Sequence, residues 1–264
     1  MTEQPLVVFD FDGVLSNSFH DSLWMAINTY IAIEGDAGLP VNGPLRPEEV
    51  FDFEKQNPAF TDQFYALMPL GNLARDYYVI LHIMTEGEVS AIKSQADYDA
   101  YKAGLNAETV MAYDAHFYAG RACLQAEDPQ AWAALIPMFD GVADAVATLS
   151  KKASLAIATS KDRGSVLLLL ERYGLRPYFR DDRILDKDFA PSKRQHLIRL
   201  SEATGTPFSQ MHFIDDKVLH LVDVADLGVN AYLAQWGFNT PREAQVAQNH
   251  GCHVLKLAEL SGLV

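Results

Sequence analysis

The stretch Leu6-Val7-Val8-Phe9-Asp10-Phe11-Asp12-Gly13-Val14 runs from apolar, strand-forming residues into two carboxylates and a glycine turn. Branched and aromatic residues in a short run closed by a turn predict a buried strand. On extended backbone, residues two apart project to the same side, so Asp10 and Asp12 present like charges together. Such a pair is costly unless a cation neutralises it or one carboxyl keeps a proton. An acidic turn that merely closes a strand is the alternative, Asp and Gly being ordinary turn residues.

The chain has 264 residues, 49% of them hydrophobic and 21% charged, a globular composition with room for one large or two smaller domains. No apolar run approaches the roughly 18 residues of a membrane span, and Met1-Thr2-Glu3-Gln4-Pro5 lacks the basic and apolar parts of a signal peptide. A cytoplasmic protein is expected, with no membrane partner. The net charge of −14 argues against nucleic-acid binding, which calls for a basic face. Between Phe19 and Ile136 stand 17 acidic and 6 basic residues, so −11 of the charge belongs to that segment. Cys123 and Cys252 match no metal or redox spacing and are expected to be buried free thiols. The eight histidines form no ligand motif, and His196, His212 and His250 read as surface or packing residues.

Pattern divides the chain in the same place as charge. From about residue 18 to 136 the periodicity is helical: Ser22–Ile33, Thr61–Leu67, Leu73–Met84, Glu88–Lys93, Asp97–Ala103 and Ala107–Glu127, with a Gly/Pro-rich loop over Gly35–Pro47. Nothing there alternates as a strand would. After Pro137 short strands alternate with helices: helix Asp144–Lys151, strand Ala153–Ala158, helix Arg163–Tyr173, strand Arg183–Leu185, helix Ser192–Thr204 and strand Met211–Ile214. The series ends with helix Val218–Leu227, strand Asn230–Leu233, helix Pro241–Asn249 and strand His253–Leu255. Alternation of this kind predicts an α/β fold, a Rossmann-like parallel sheet with helices on both faces. Residues 1–17 and 137–264 form that core, and 18–136 a mainly helical insertion after the first strand.

In open parallel sheets, ligands gather outside the carboxyl ends of the strands. The residues expected there are Asp10 and Asp12, then Thr159, Ser160 and Lys161, then Asp215 and Asp216, with Lys193 entering a helix nearby. This set suits phosphoryl transfer. A carboxylate can attack phosphorus and split one hard displacement into two easier ones. Attacker and phosphate are both anionic, so a hard cation such as Mg²⁺, held by one or two carboxylates and waters, is needed between them. A lysine, a hydroxyl and backbone N–H groups can hold the remaining phosphate oxygens, while a second carboxyl donates to the leaving oxygen and then activates water.

These residues resemble the motifs of the haloacid dehalogenase (HAD) superfamily, in its phosphoglycolate-phosphatase-like branch. Asp10-Phe11-Asp12-Gly13-Val14 resembles the first motif, Ile157-Ala158-Thr159-Ser160-Lys161 the second, and Lys193 the lysine of the third. Phe213-Ile214-Asp215-Asp216 resembles the acidic fourth motif, and Trp236-Gly237-Phe238-Asn239 a Trp-Gly-Tyr segment common after the next strand. The likeness covers the core, and the insertion matches a helical cap only in position and character. It implies Asp10 as nucleophile, Asp12 as general acid and base with its carbonyl toward the metal, and Thr159 and Lys193 as phosphoryl ligands, with Ser160 beside them. It implies Asp216 as the main Mg²⁺ ligand and Asp215 as a second, directly or through water; a helix amino-terminal cap is the other reading of the pair, and the two are compatible. Lys187 is the weaker candidate for the third-motif lysine, and Lys161, beside the site and within reach of substrate, reads more readily as a surface charge at a helix start.

Departures narrow the expectation. The family's dehalogenases lack the second aspartate, its phosphonate-cleaving members carry Ala there, and its cation pumps carry Thr; Asp12 therefore favours phosphomonoester hydrolysis. Arg194 stands where Pro often follows the motif lysine, and Leu219-His220 where many members have a further Asp. The expected activity is that of a Mg²⁺-dependent phosphatase of a small phosphorylated metabolite, with a phosphomutase and a non-catalytic scaffold as alternatives. A cap would exclude water and select the substrate. Within it, Arg75 beside Tyr77 and Tyr78 is the candidate for a second anionic group, or else pairs on the helix surface with Asp76 or Asp62.

Overall fold

The computed structural model describes residues 4–190 and 192–264. They divide into two compact units, one ending at Asn17 and resuming at Met138, the other spanning Ser18–Pro137. The first contains a six-stranded sheet of β1 (Leu6–Phe9), β2 (Ser154–Ala158), β3 (Ile184–Leu185), β4 (Met211–Asp215), β5 (Asn230–Ala234) and β6 (His253–Leu255). All pairings are parallel, in the order β3-β2-β1-β4-β5-β6. From β1 the chain builds outward to one side and then returns to build the other. The β1/β4 boundary is thus the switch point at which crossovers diverge and leave a crevice. Register brings Phe9 opposite Ile214, so that Asp10 and Asp215 leave the sheet side by side.

Fully buried sheets read as continuous apolar runs, and β1 does: all four of its residues are 0% exposed. Leu6, Val8, Ala156, Ala158, Met211, Phe213 and Leu233 form one apolar face. Leu197 and Leu200, Leu221 and Val224, and Ala247 pack on it from three helices of the same unit. Val7, Phe9, Leu155 and Ile157 point the other way and are equally buried.

The second unit is helical: α1 (Phe19–Glu34), α2 (Val50–Gln56), α3 (Pro58–Leu67), α4 (Ala74–Thr85), α5 (Gln95–Ala103), α6 (Ala107–Glu127) and α7 (Pro129–Ala134). Its core stacks Phe64 on Tyr77 and Tyr77 on Phe117. Tyr113 donates to the Ala26 carbonyl at 3.0 Å, and Arg121 pairs with the fully buried Asp21 at 2.5 Å. Three expectations need correction here. Glu88–Lys93 holds only a 3₁₀ turn over Val89–Ala91, because Ser94 turns extended to cap α5 by accepting the Asp97 N–H. The short helices α2 and α7 were not foreseen; α7 begins on Pro129 behind an Asp128 cap, a start signal outweighed by its brevity. Cys123 is exposed while Cys252 is buried. The buried stripe of α6 runs through Val110, Tyr113 and Phe117, and Cys123 lies about a third of a turn off it.

The core unit is completed by α8 (Val142–Leu149), α9 (Arg163–Arg172), α10 (Lys193–Thr204), α11 (Val218–Val224) and α12 (Pro241–Asn249). Ser192 caps α10 by accepting the Gln195 N–H, which sets Lys193 at the first helical position.

Candidate active site

Asp10 extends the β1 ladder by one bond, its N–H donating to the Ile214 carbonyl at 2.8 Å. Its carboxylate accepts the Phe11 N–H at 2.7 Å and lies 2.5 Å from Lys193 Nζ. Gly13 then turns the chain with φ +83°, a left-handed conformation open to glycine at little cost. A Cβ there would stand 2.4 Å from Asp216 Cγ, so the turn and the fourth acidic position require each other. Asp12 accepts the Ser16 hydroxyl at 2.9 Å and meets Lys161 Nζ at 3.0 and 3.2 Å.

Lys193 reaches back from α10 to the end of the sheet. Its ammonium donates to the Ala158 carbonyl at 2.7 Å and faces Asp10 and, at 3.4 Å, Asp215. Burial opposes that charge, but the two carboxylates outweigh it and hold the Lys193 pKa above its ordinary value. Burial pushes the Asp10 pKa up to about 6, against the pull of Lys193 and with added repulsion from Asp215. Asp215 goes the other way. Burial raises it, yet His220, Lys193 and the Lys217 N–H hold it near 2. His220 Nδ1 is 3.0 Å from Asp215 Oδ2, and the Lys217 N–H is 2.8 Å from Oδ1.

Asp216 is the anomaly. It is 1% exposed, its Oδ2 accepts the Phe238 N–H at 3.0 Å, and its Oδ1 has no hydrogen-bond partner. Burial, with Asp215 and Asp10 adding to it, lifts its pKa well above the carboxylate range. A buried oxygen of this kind is expensive unless something positive reaches it. The orphaned oxygen, the Asp10 carboxylate and the oxygen-rich surroundings fit a hard divalent cation such as Mg²⁺.

Thr159 is buried at the end of β2, with its hydroxyl accepting the Lys161 N–H at 3.1 Å. Ser160 beside it is exposed. Lys187 is exposed on its loop, and Arg194 forks onto Asp226 at 2.5 and 2.9 Å. Arg75 belongs to the helical unit, where its side chain faces Asp114 and Met111 and neither Asp76 nor Asp62. Asp76 is taken instead by Lys102 at 2.5 Å. The six residues Asp10, Asp12, Thr159, Lys193, Asp215 and Asp216 thus share one sheet edge.

Two further residues join these six. Lys161, read above as a surface charge, has a side chain only 7% exposed and grips both oxygens of Asp12. His220 lies in the first turn of α11, five residues after Asp215, with Nδ1 3.0 Å from that carboxylate.

The family model of haloacid dehalogenase-like hydrolases matches residues 5–219. Human magnesium-dependent phosphatase 1 is 37% identical over 106 residues, which cover 40% of this chain and 57% of that protein. The match therefore spans little more than half of that relative's length. Among solved structures, a haloacid dehalogenase-like family hydrolase from Streptococcus pneumoniae superposes with a TM-score of 0.58 at 16% identity, covering 99% of both chains. A predicted phosphoglycolate phosphatase from Haemophilus somnus gives 0.62 at 16% identity, covering 100% of this chain and 99% of its own. At such identities the likeness is one of fold.

Proposed function

The chain belongs to the haloacid dehalogenase-like hydrolases, and within that family we propose that it is a Mg²⁺-dependent phosphomonoesterase of a small phosphorylated metabolite. The observation that carries this reading is the Asp10 carboxylate, pinned against the Lys193 ammonium at 2.5 Å beside the unsatisfied oxygen of Asp216. A nucleophile so placed has a cation to meet the incoming phosphoryl oxygens and an acid left over for a metal. Similarity to a magnesium-dependent phosphatase over part of the chain supports the same choice.

In this reading an Asp10 oxygen attacks phosphorus, the bond to the leaving oxygen breaks, and Asp12 gives that oxygen its proton. Water then attacks the aspartyl-phosphate while Asp12 takes the proton back, and inorganic phosphate departs. Lys193 and the Thr159 hydroxyl hold the phosphoryl oxygens, and Lys161 with Ser16 fixes the orientation of Asp12. Asp10 and Asp216, together with Asp215, would hold a Mg²⁺ ion, which would supply the charge neutralisation that lets two anions meet.

Asp10→Asn should lower turnover of p-nitrophenyl phosphate in Mg²⁺ by roughly a thousandfold or more. Acid-quenched wild type should carry a phosphoryl group on Asp10, seen by mass spectrometry of its peptides. Substantial activity in the variant would overturn the mechanism.

A further inference from the structure

The acids of this site have a nitrogen neighbour. Asp10, Asp215 and His220 each offer one ligand atom, all within 4.8 Å of one another. That span is close to twice the metal–ligand distance of about 2.1 Å shared by His nitrogens and carboxylate oxygens on small divalent ions. A second sign of a ligand is Asp216, the residue after Asp215, which is 1% exposed, has an unpartnered Oδ1 and packs its carboxylate against the Gly13 turn that follows Asp10 and Asp12. His220 is half-buried, its side chain 19% exposed, with Nδ1 directed at Asp215. No other histidine is joined with these acids among the described residues.

We propose that His220 is a ligand of the cation site, making it a mixed imidazole–carboxylate centre that prefers Mn²⁺ or Co²⁺ to Mg²⁺. The physical reason is ligand type. Carboxylate and water sites suit Mg²⁺, whereas an imidazole gives little to a hard ion and much to first-row transition ions, with affinity rising from Mn²⁺ toward Cu²⁺. A carboxylate at position 220 would restore an all-oxygen site. This inference rests on the reading that the site binds a divalent cation, and adds which one and through which residue.

The test reads the metal directly. Chelator-treated protein is titrated with Mn²⁺ and with Mg²⁺, and the Mn²⁺ complex is studied by electron spin-echo spectroscopy for nitrogen coupling. Wild type should show coupling from one imidazole and a preference for Mn²⁺ over Mg²⁺. His220→Asp should lose the coupling and shrink the preference by roughly tenfold or more. His220→Asn, which keeps a donor for Asp215, should also lose the coupling, and circular dichroism of both variants checks their folding. Absence of nitrogen coupling in wild type, or its survival in folded His220→Asp, overturns the proposal. Should such protein still hydrolyse p-nitrophenyl phosphate with Mg²⁺, the phosphatase reading stands and His220 alone is excluded. Failure to bind either ion would sink both.

Discussion

Asp216 puts a carboxylate where only one of its oxygens is met by the protein, and its ionisation is correspondingly expensive. In the unfolded chain it ionises at the usual carboxylate pH; in the folded chain burial and the neighbouring Asp215 and Asp10 delay this to a much higher pH. Between those values the folded state holds the extra proton, so stability falls as pH rises through the window. Asp216→Asn removes that slope, and its amide can donate toward the neighbouring carboxylates. In chelator, urea unfolding should find the variant more stable than wild type, by roughly 1–3 kcal/mol at about pH 8 and by little near pH 5. Divalent cation should then reverse the order by stabilising wild type only. A variant less stable than wild type at both pH values would show that the orphaned oxygen carries no cost. Asp10, Asp12, Asp215 and Asp216 were legible as residues because a strand followed by a turn fixes where its last side chains point. The partners of Lys161 and His220 were not, since a lysine or histidine at a helix start points inward or outward according to neighbours that sequence does not place.

The loop after β5 shows how elements, more than single residues, fix the site. Trp236 Nε1 donates to the Val14 carbonyl at 3.0 Å and the Phe238 N–H to Asp216. Gly237 between them faces the Gly13 carbonyl so closely that a Cβ would come within 2.2 Å of its oxygen and 2.5 Å of Asp216 Cβ. Neither obstacle is a flexible side-chain tip, so Gly237→Ala has to displace the β1 turn or the Asp216 loop. A stability loss of about 1–3 kcal/mol is expected, together with loss of aryl-phosphate turnover beyond what the lower Tm explains. An alanine variant with wild-type Tm and turnover would mean the two loops are not clamped. Core elements were readable because each carries its own punctuation. Helix α12 has Pro241 at its first position and the Thr240–Glu243 capping box, and its bounds follow from those signals. In the insertion the punctuation is sparser: α2 and α7 are 7 and 6 residues long, shorter than the windows in which periodicity shows.

At the scale of the whole molecule the deciding quantity is charge. Of the net −14, the insertion from Phe19 to Ile136 contributes −11, with six basic residues to set against seventeen acids. Five of those six are engaged inside the unit: Arg46 with Glu48 and Glu49, Lys55 with Asp52, Arg75 with Asp114, Lys102 with Asp76 and Arg121 with Asp21. Sequence supplied the count of cations, but only the fold shows that they are committed to neighbouring carboxylates. A spare cluster for a second phosphate, which would call for Arg forks free to grip it, is not built from them. The field around such a protein repels anions in proportion to their charge and is screened beyond about 10 Å at 0.1 M salt. A metabolite with one phosphate and a small neutral or weakly charged remainder should therefore be hydrolysed with a higher kcat/KM than its bisphosphate counterpart. Raising ionic strength from roughly 0.05 to 0.5 M should narrow that gap severalfold, because screening relieves the more highly charged substrate most. The measurement is kcat/KM for a matched monophosphate and bisphosphate pair across that salt range at constant divalent cation. A bisphosphate preferred at low salt, with the preference weakening as salt rises, would mean that a local cationic pocket overrides the global field, and the search for its residues would begin with Arg75 and Lys93.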